Sequence, residues 1–188
     1  TRNIDSTSNW GINTTAHDKK NSRRNSMHKE IKAISLFSSA GIGELRLPKE
    51  IKVLAANELL KPRAKCYSFF YPKTKMLCGD ITSLEIKNKM IEIAHSNNAE
   101  LLIATPPCQG LSTLGKNKGQ IQYENDRRNF LVLEVLDVID ACDFNYVLIE
   151  NVPKFIEMFF PYENEYLRLE DILRKKYADK YIIDIRVL

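Results

Sequence analysis

Hydrophobic and polar positions fall into two kinds of block along the chain. Short apolar runs bounded by turn residues read as strands: Ala33 to Phe37, Ile51 to Asn57, Lys75 to Cys78, Leu101 to Ala104 and Tyr146 to Ile149. The segments between them carry helical spacing. Lys61 to Tyr71 predicts a helix with Pro62 tolerated in its first turn. Glu85 to Ser96 repeats Ile86, Met90, Ile93 and Ala94 on one face, and Asn129 to Cys142 repeats Phe130, Leu133, Leu136 and Ile139. Leu167 to Tyr177 predicts a further helix, and Tyr181 to Leu188 a sixth strand. A very short helical segment is expected before Pro48. Strand and helix alternate, so the economical fold is α/β, a doubly wound, mostly parallel sheet.

Composition adds bounds. At 188 residues, with 44% hydrophobic and 28% charged residues, one globular domain is expected. No stretch approaches a membrane span and none has the apolar core of a signal peptide, so a cytoplasmic location is expected. The four cysteines, Cys66, Cys78, Cys108 and Cys142, form no C-x-x-C pair, which argues for free thiols and against zinc. Residues 1–30 hold six Lys or Arg side chains against three acidic ones, leaving the rest of the +4 chain nearly neutral. Their polar composition predicts a flexible basic tail, with the domain spanning 31–188; contact with phosphates is a second reading of that tail.

The chemistry-bearing residues sit where strands end. Gly41 and Gly43 follow strand one, Glu58 strand two, Asp80 strand three, Cys108 strand four and Glu150 strand five. In a doubly wound sheet all these ends share one edge, where ligands bind. Glycines that admit a ligand, followed by an acid about 20 residues on, form a nucleotide pocket; only Gly41-Ile42-Gly43 of G-x-G-x-x-G is present. Pro106 and Pro107 fix the backbone before Cys108, as suits a nucleophile, although a buried structural thiol has the same local sequence. Glu150, between Ile149 and Val152, is expected to be partly desolvated and suited to give a proton. It would serve equally as the partner of Arg127 or Arg128, and both roles can hold together.

The order S-L-F-S-S-A-G-I-G, A-N-E, G-D-I, P-P-C-Q-G-L-S, N-D-R-R-N-F-L and E-N-V resembles the DNA (cytosine-5)-methyltransferases over residues 33 to about 155. The resemblance implies a Rossmann-like fold, S-adenosylmethionine as cofactor, no metal, and double-stranded DNA as substrate. It implies that Phe37, Ala40, Gly41, Ile42, Gly43 and Pro106 lie along the cofactor. Glu58 would take the ribose hydroxyls, Leu59 and Ile81 would flank the adenine, and Asp80 would bond its amino group. Cys108 would be the nucleophile, Glu150 the group engaging cytosine N3, and Asn151 the support of the Cys108 loop. Gln109, Ser112, Lys116, Lys118, Arg127 and Arg128 would meet the DNA, on a loop from Gly110 to Asn125 able to close over a flipped base.

The chain departs from the family at Ser35, Ser39 and Ile42, where an acid or glycine is usual. The segment Ile185-Arg186-Val187-Leu188 resembles the strand before a Q-x-R-x-R motif that this sequence does not contain. In the family the following strand lies between strands five and six, so strand six is expected to lack a partner. The resemblance therefore implies the N-terminal piece of a longer bacterial restriction-modification enzyme, or one subunit of a split one that needs a second polypeptide. A non-catalytic fragment binding the cofactor or DNA is the alternative. A nicotinamide oxidoreductase leaves Pro-Pro-Cys-Gln without a role, and RNA is a conceivable substrate on the same chemistry.

Overall fold

The computed structural model describes residues 29–107 and 127–187. Five strands form one parallel sheet: β1 (Ile31–Leu36), β2 (Ile51–Glu58), β3 (Lys75–Cys78), β4 (Leu101–Ala104) and β5 (Tyr146–Ile149), in the order β3-β2-β1-β4-β5. Beta-1 is central and Ala33 to Leu36 are all buried, as expected of a strand covered on both faces. Its register sets Ala33 against Leu101 and Leu36 against Ala104, with one irregularity against β2 between Ala33 and Ile34.

Helix α1 (Lys61–Phe70) carries the chain from β2 outward to β3, and α2 (Leu84–Asn97) carries it back across the sheet to β4. The next helix, α3 (Val132–Ala141), joins β4 to β5. Right-handed crossovers running in opposite directions put α1 on one face and α2 and α3 on the other. Two cores follow. Ile34, Leu36, Leu102 and Ala104 pack with Met90 and Ala94 of α2 and Val135 and Val138 of α3. Ala33, Leu101 and Ile103 form the smaller cluster on the opposite face, with Leu47 and Val53. Strand order reverses between β1 and β4, which opens a crevice at their carboxyl ends. Helix α2 stops at Asn98, whose left-handed φ of 52° lets its amide bond back to the last turn.

Several expectations need correction after the crevice. The region from Phe130 begins as a 3-10 turn, Arg127–Phe130, before α3 starts at Val132. The helix expected from Leu167 begins at Leu169, as α4 (Leu169–Tyr177). Ahead of it lies an antiparallel hairpin of β6 (Phe159–Tyr162) and β7 (Glu165–Arg168), turning on Glu163 at φ 54°. Phe160 is fully buried against Phe130 and Phe155, so the hairpin is pinned by its inward face. Before Pro48 there are turns and no helix.

The sixth strand is not formed: residues 181–187 belong to no ladder. A strand needs a neighbour for its backbone groups, and here a groove of about 570 Å³ separates this segment from β5. Tyr181 anchors the segment through a 2.8 Å bond from its hydroxyl to the Phe144 carbonyl, whereas Ile182 stands fully in solvent. The tail expected over residues 1–28 lies outside the described residues. No helix among the described residues is long and apolar enough to cross a membrane.

Candidate cofactor and base site at the carboxyl edge

The turn after β1 holds an unusual backbone. Phe37 (φ 60°), Ser39 (φ 52°) and Gly41 (φ 85°) all occupy the left-handed region. For a bulky residue such as Phe37 this costs on the order of 1–2 kcal/mol, and it persists because neighbours over-determine it. The Ser38 amide donates to the Asn57 carbonyl at 2.9 Å, and the Thr105 hydroxyl donates to the Phe37 carbonyl at 3.0 Å. Gly41 has no room for a side chain: a Cβ would lie 2.2 Å from the Tyr71 ring, whose hydroxyl donates to the Gly41 carbonyl at 2.8 Å. Gly43 is different. A Cβ there would meet nothing nearer than the Thr105 methyl at 4.0 Å, so it borders open space beside the β4 end. Ala40 is half-buried and Ile42 is exposed on the same turn.

At the β2 end Glu58 is buried, and one of its carboxylate oxygens accepts the Leu60 amide at 2.7 Å. The Asn57 amide donates to the carbonyls of Leu77 and Gly79, both at 3.0 Å, tying the β2 and β3 ends together. Leu59 stands largely in solvent, while Ile81 is buried in the core beneath the edge. Asp80 is exposed and accepts the Thr82 amide at 2.9 Å.

The β4 and β5 ends are joined by one side chain. Asn151 donates its amide to the Pro106 carbonyl at 2.7 Å, while its own carbonyl accepts the Val152 amide at 2.8 Å. Thus the backbone two residues ahead of Cys108 is fastened to the residue after Glu150. Glu150 itself is exposed, which corrects the expectation of desolvation: β5 is the sheet edge, Ile149 is only half-buried and Val152 is exposed. Cys108, Gln109, Ser112, Lys116 and Lys118 lie outside the described residues. Arg127 belongs to the 3-10 turn, and Arg128 beside it is exposed.

Residues 31–178 match the family model for C-5 cytosine-specific DNA methylases. The chain belongs to this family. It is 42% identical over 163 residues to the Type II methyltransferase M1.HgaI of Avibacterium volantium, covering 86% of this chain and 46% of that protein. It is 32% identical over 165 residues to the Type II methyltransferase M.AquIA of Picosynechococcus sp., covering 85% of this chain and 64% of that one. The chain therefore spans roughly half to two-thirds of the length of these curated relatives. A solved E. coli prophage protein described as a DNA modification methyltransferase matches 81% of this chain and 39% of its own, with a TM-score of 0.53 and 19% identity, which establishes likeness of fold.

The family implies S-adenosylmethionine, and the carboxyl edge of this sheet has features that fit it. Gly43 leaves a space a side chain would fill, the exposed Ile42 and Leu59 offer apolar cover, and Glu58 presents a carboxylate at the adjoining strand end. One member of the edge escaped the sequence reading. Glu44, next to Gly43, is buried and accepts the Ser35 hydroxyl at 2.5 Å, and the Ser38 hydroxyl is 2.9 Å from that of Ser35. Burial pushes the Glu44 carboxyl above its ordinary range, partly offset by the bond from the Ser35 hydroxyl. Its signal in sequence was an acid directly after the glycine pair, nine residues from a serine that points to the same face.

Proposed function

We propose that this chain is the cofactor-binding and catalytic part of a DNA cytosine-5 methyltransferase of the restriction-modification type, acting on DNA in the bacterial cytoplasm. The observation that carries the reading is the Asn151 to Pro106 bond, which fastens the Cys108 approach to the strand end bearing Glu150. When bound, S-adenosylmethionine supplies an electrophilic methyl group. Glu58 takes the ribose hydroxyls, Asp80 the adenine amino group, Leu59 and Ile81 its faces, and the backbone of Phe37, Ala40 to Gly43 and Pro106 lines the remainder.

Cytosine C5 is too weak a nucleophile to be methylated unaided. The Cys108 thiolate adds to C6, forming an S–C bond and pushing the ring electrons toward N3 and C5. Glu150 gives a proton or hydrogen bond to N3 and stabilises that charge, so that C5 can take the methyl group. A water molecule then takes the C5 proton, the C5–H electrons re-form the C5–C6 double bond, the C6–S bond breaks to return the Cys108 thiolate, and N3 gives its proton back to Glu150. The exposure of Glu150 supports this role, because the carboxyl is accessible to an incoming base. Reaching C6 requires the cytosine to leave the duplex, at a cost of a few kcal/mol. The segment from Gln109 to Lys118, with Ser112 and Lys116, and the pair Arg127 and Arg128 serve the displaced strand and its phosphates.

A second polypeptide segment completes the enzyme in this reading, whether it comes from the same gene product or another. The groove between β5 and residues 181–187 supports it, since an added strand there would pair the outer edge of β5 and the 181–187 segment, neither of which is paired on that side among the described residues. If that segment is required, the chain alone binds cofactor without turnover. The test is transfer of labelled methyl groups to mixed-sequence DNA by this chain and by the full-length or co-expressed form. Activity at cytosine C5 in the completed form, lost in Cys108→Ser with cofactor binding retained, is expected. Turnover in Cys108→Ser would refute the mechanism, and cofactor binding without activity in any form would leave a non-catalytic binding module.

A further inference from the structure

Only one of the two Glu44 carboxyl oxygens is engaged by a serine hydroxyl. Glu44 is 6% exposed; Oε1 accepts the Ser35 hydroxyl, while Oε2 is buried with no hydrogen-bond partner among the described residues. The Tyr67 hydroxyl on α1 is also buried without a hydrogen-bond partner among the described residues, and the Tyr67 and Tyr71 rings pack with centroids 4.7 Å apart. Both tyrosines lie close enough to the carboxyl to feel its charge, and no Lys or Arg among the described residues acts on it. A buried carboxylate without a cation is costly, so a site that keeps one has a reason to expect positive charge. Glu44 adjoins Gly43, whose open side faces the crevice at the β1 and β4 ends.

We propose that the Glu44 carboxylate is the buried counter-charge for the cationic part of S-adenosylmethionine. The inference rests on the cofactor assignment above and adds a positioning role for a residue on the far side of the glycine turn. Charge on the ligand distinguishes this role from mere support of the turn. S-adenosylmethionine carries a sulfonium, an ammonium and a carboxylate, S-adenosylhomocysteine the ammonium and the carboxylate, and 5'-methylthioadenosine none of the three, so the first two differ by one positive charge alone. A counter-charge favours the sulfonium ligand over the other two, and attraction over several ångströms beside a buried carboxylate is strong enough to read as a tenfold effect. Favouring the sulfonium over its neutral product would also ease product exchange.

The experiment titrates the full-length protein with each of the three ligands and compares Glu44→Gln and Ser35→Ala. Glu44→Gln should weaken S-adenosylmethionine by about tenfold, S-adenosylhomocysteine by less, and methylthioadenosine by less than about twofold. Ser35→Ala, which keeps the charge and removes its support, should change all three by one common factor. A uniform loss across the ligands in Glu44→Gln, or no loss, overturns the counter-charge. Should Glu44→Gln fail to fold, the unmodified protein carries the test: its preference for S-adenosylmethionine over methylthioadenosine should fall as pH is lowered and Glu44 is protonated, and a preference constant with pH overturns the proposal. The groups facing Glu44 are Ser35 from β1, Ser38 from the turn after it, Tyr67 from α1 and Tyr71 just past the end of α1, none of which titrates in the acid range. Failure of the unmodified protein to bind any of the three overturns the cofactor assignment and this inference together.

Discussion

The two glycines of the strand-one turn should respond to the same substitution in opposite ways. Gly41→Ala places a methyl group 2.2 Å from the Tyr71 Cε2 and 2.9 Å from its Cδ2, at a φ of 85° that side chains rarely adopt. The backbone term costs on the order of 1–2 kcal/mol. Relief of the clash requires the Tyr71 ring to move, which sacrifices its 2.8 Å bond to the Gly41 carbonyl, worth about 1 kcal/mol. A loss of roughly 3 kcal/mol is expected from the two together. Gly43→Ala meets only the Thr105 methyl at 4.0 Å, so the fold should lose less than about 0.5 kcal/mol. Its methyl group instead intrudes on the crevice and should weaken cofactor binding by about tenfold or more. Urea unfolding followed by circular dichroism reads the first effect, as a lower midpoint with unchanged slope, and ligand titration reads the second. Equal destabilisation by the two substitutions, or unchanged cofactor affinity in Gly43→Ala, would refute the assignment of the open side of the turn to the cofactor.

Three further outcomes follow from the same contacts. Asn151→Ala removes the bond to the Pro106 carbonyl and should cut methyl transfer by about tenfold to a hundredfold in the completed enzyme while cofactor affinity stays within about twofold, measured by initial rates beside titration. Leu102→Ala empties a fully buried site in the larger core and should cost about 3–4 kcal/mol in urea unfolding; a loss under 1 kcal/mol would contradict the packing. Glu44 gives a dependence on pH: its folded carboxyl is held above the ordinary value, chiefly by burial, so the folded state binds the proton more tightly than the unfolded one. Its stabilising contribution is present below the ordinary carboxylate value and is lost as pH rises through the folded one. Glu44→Gln should therefore flatten that decline and be more stable than the parent at pH 8 without ligand, and parallel curves for the two proteins would contradict the shift.

The parallel sheet was legible because each strand carries its own evidence. Leu101 to Ala104 and Tyr146 to Ile149 are apolar runs closed by turn residues, and the structure begins and ends β4 and β5 at those residues. Helix α2 likewise follows from the spacing of Ile86, Met90 and Ala94. The hairpin ahead of α4 was missed because its two strands are four residues each and Pro161 interrupts the pattern, a residue tolerated here because both strands are edges.

What the sequence could not yield depends on pairs rather than runs. Residues 181–187 have the alternation of a strand, with Tyr181 and Ile183 half-buried and Ile182 exposed, yet no ladder forms without a neighbour across the groove. Ser35 and Glu44 are unremarkable polar residues until the turn folds back and brings hydroxyl and carboxyl to 2.5 Å, after which one acid changes from a surface charge to a buried one. Glu150 shows the reverse: its apolar flanks implied burial, but a residue at the end of an edge strand is desolvated only by what covers that edge. Burial of a charge is thus decided by the element that arrives from elsewhere in the chain. The acids of this edge therefore divide by strand position, with Glu44 and Glu58 enclosed near the sheet centre and Asp80 and Glu150 open at its flanks, where adenine and base enter in the proposed reaction.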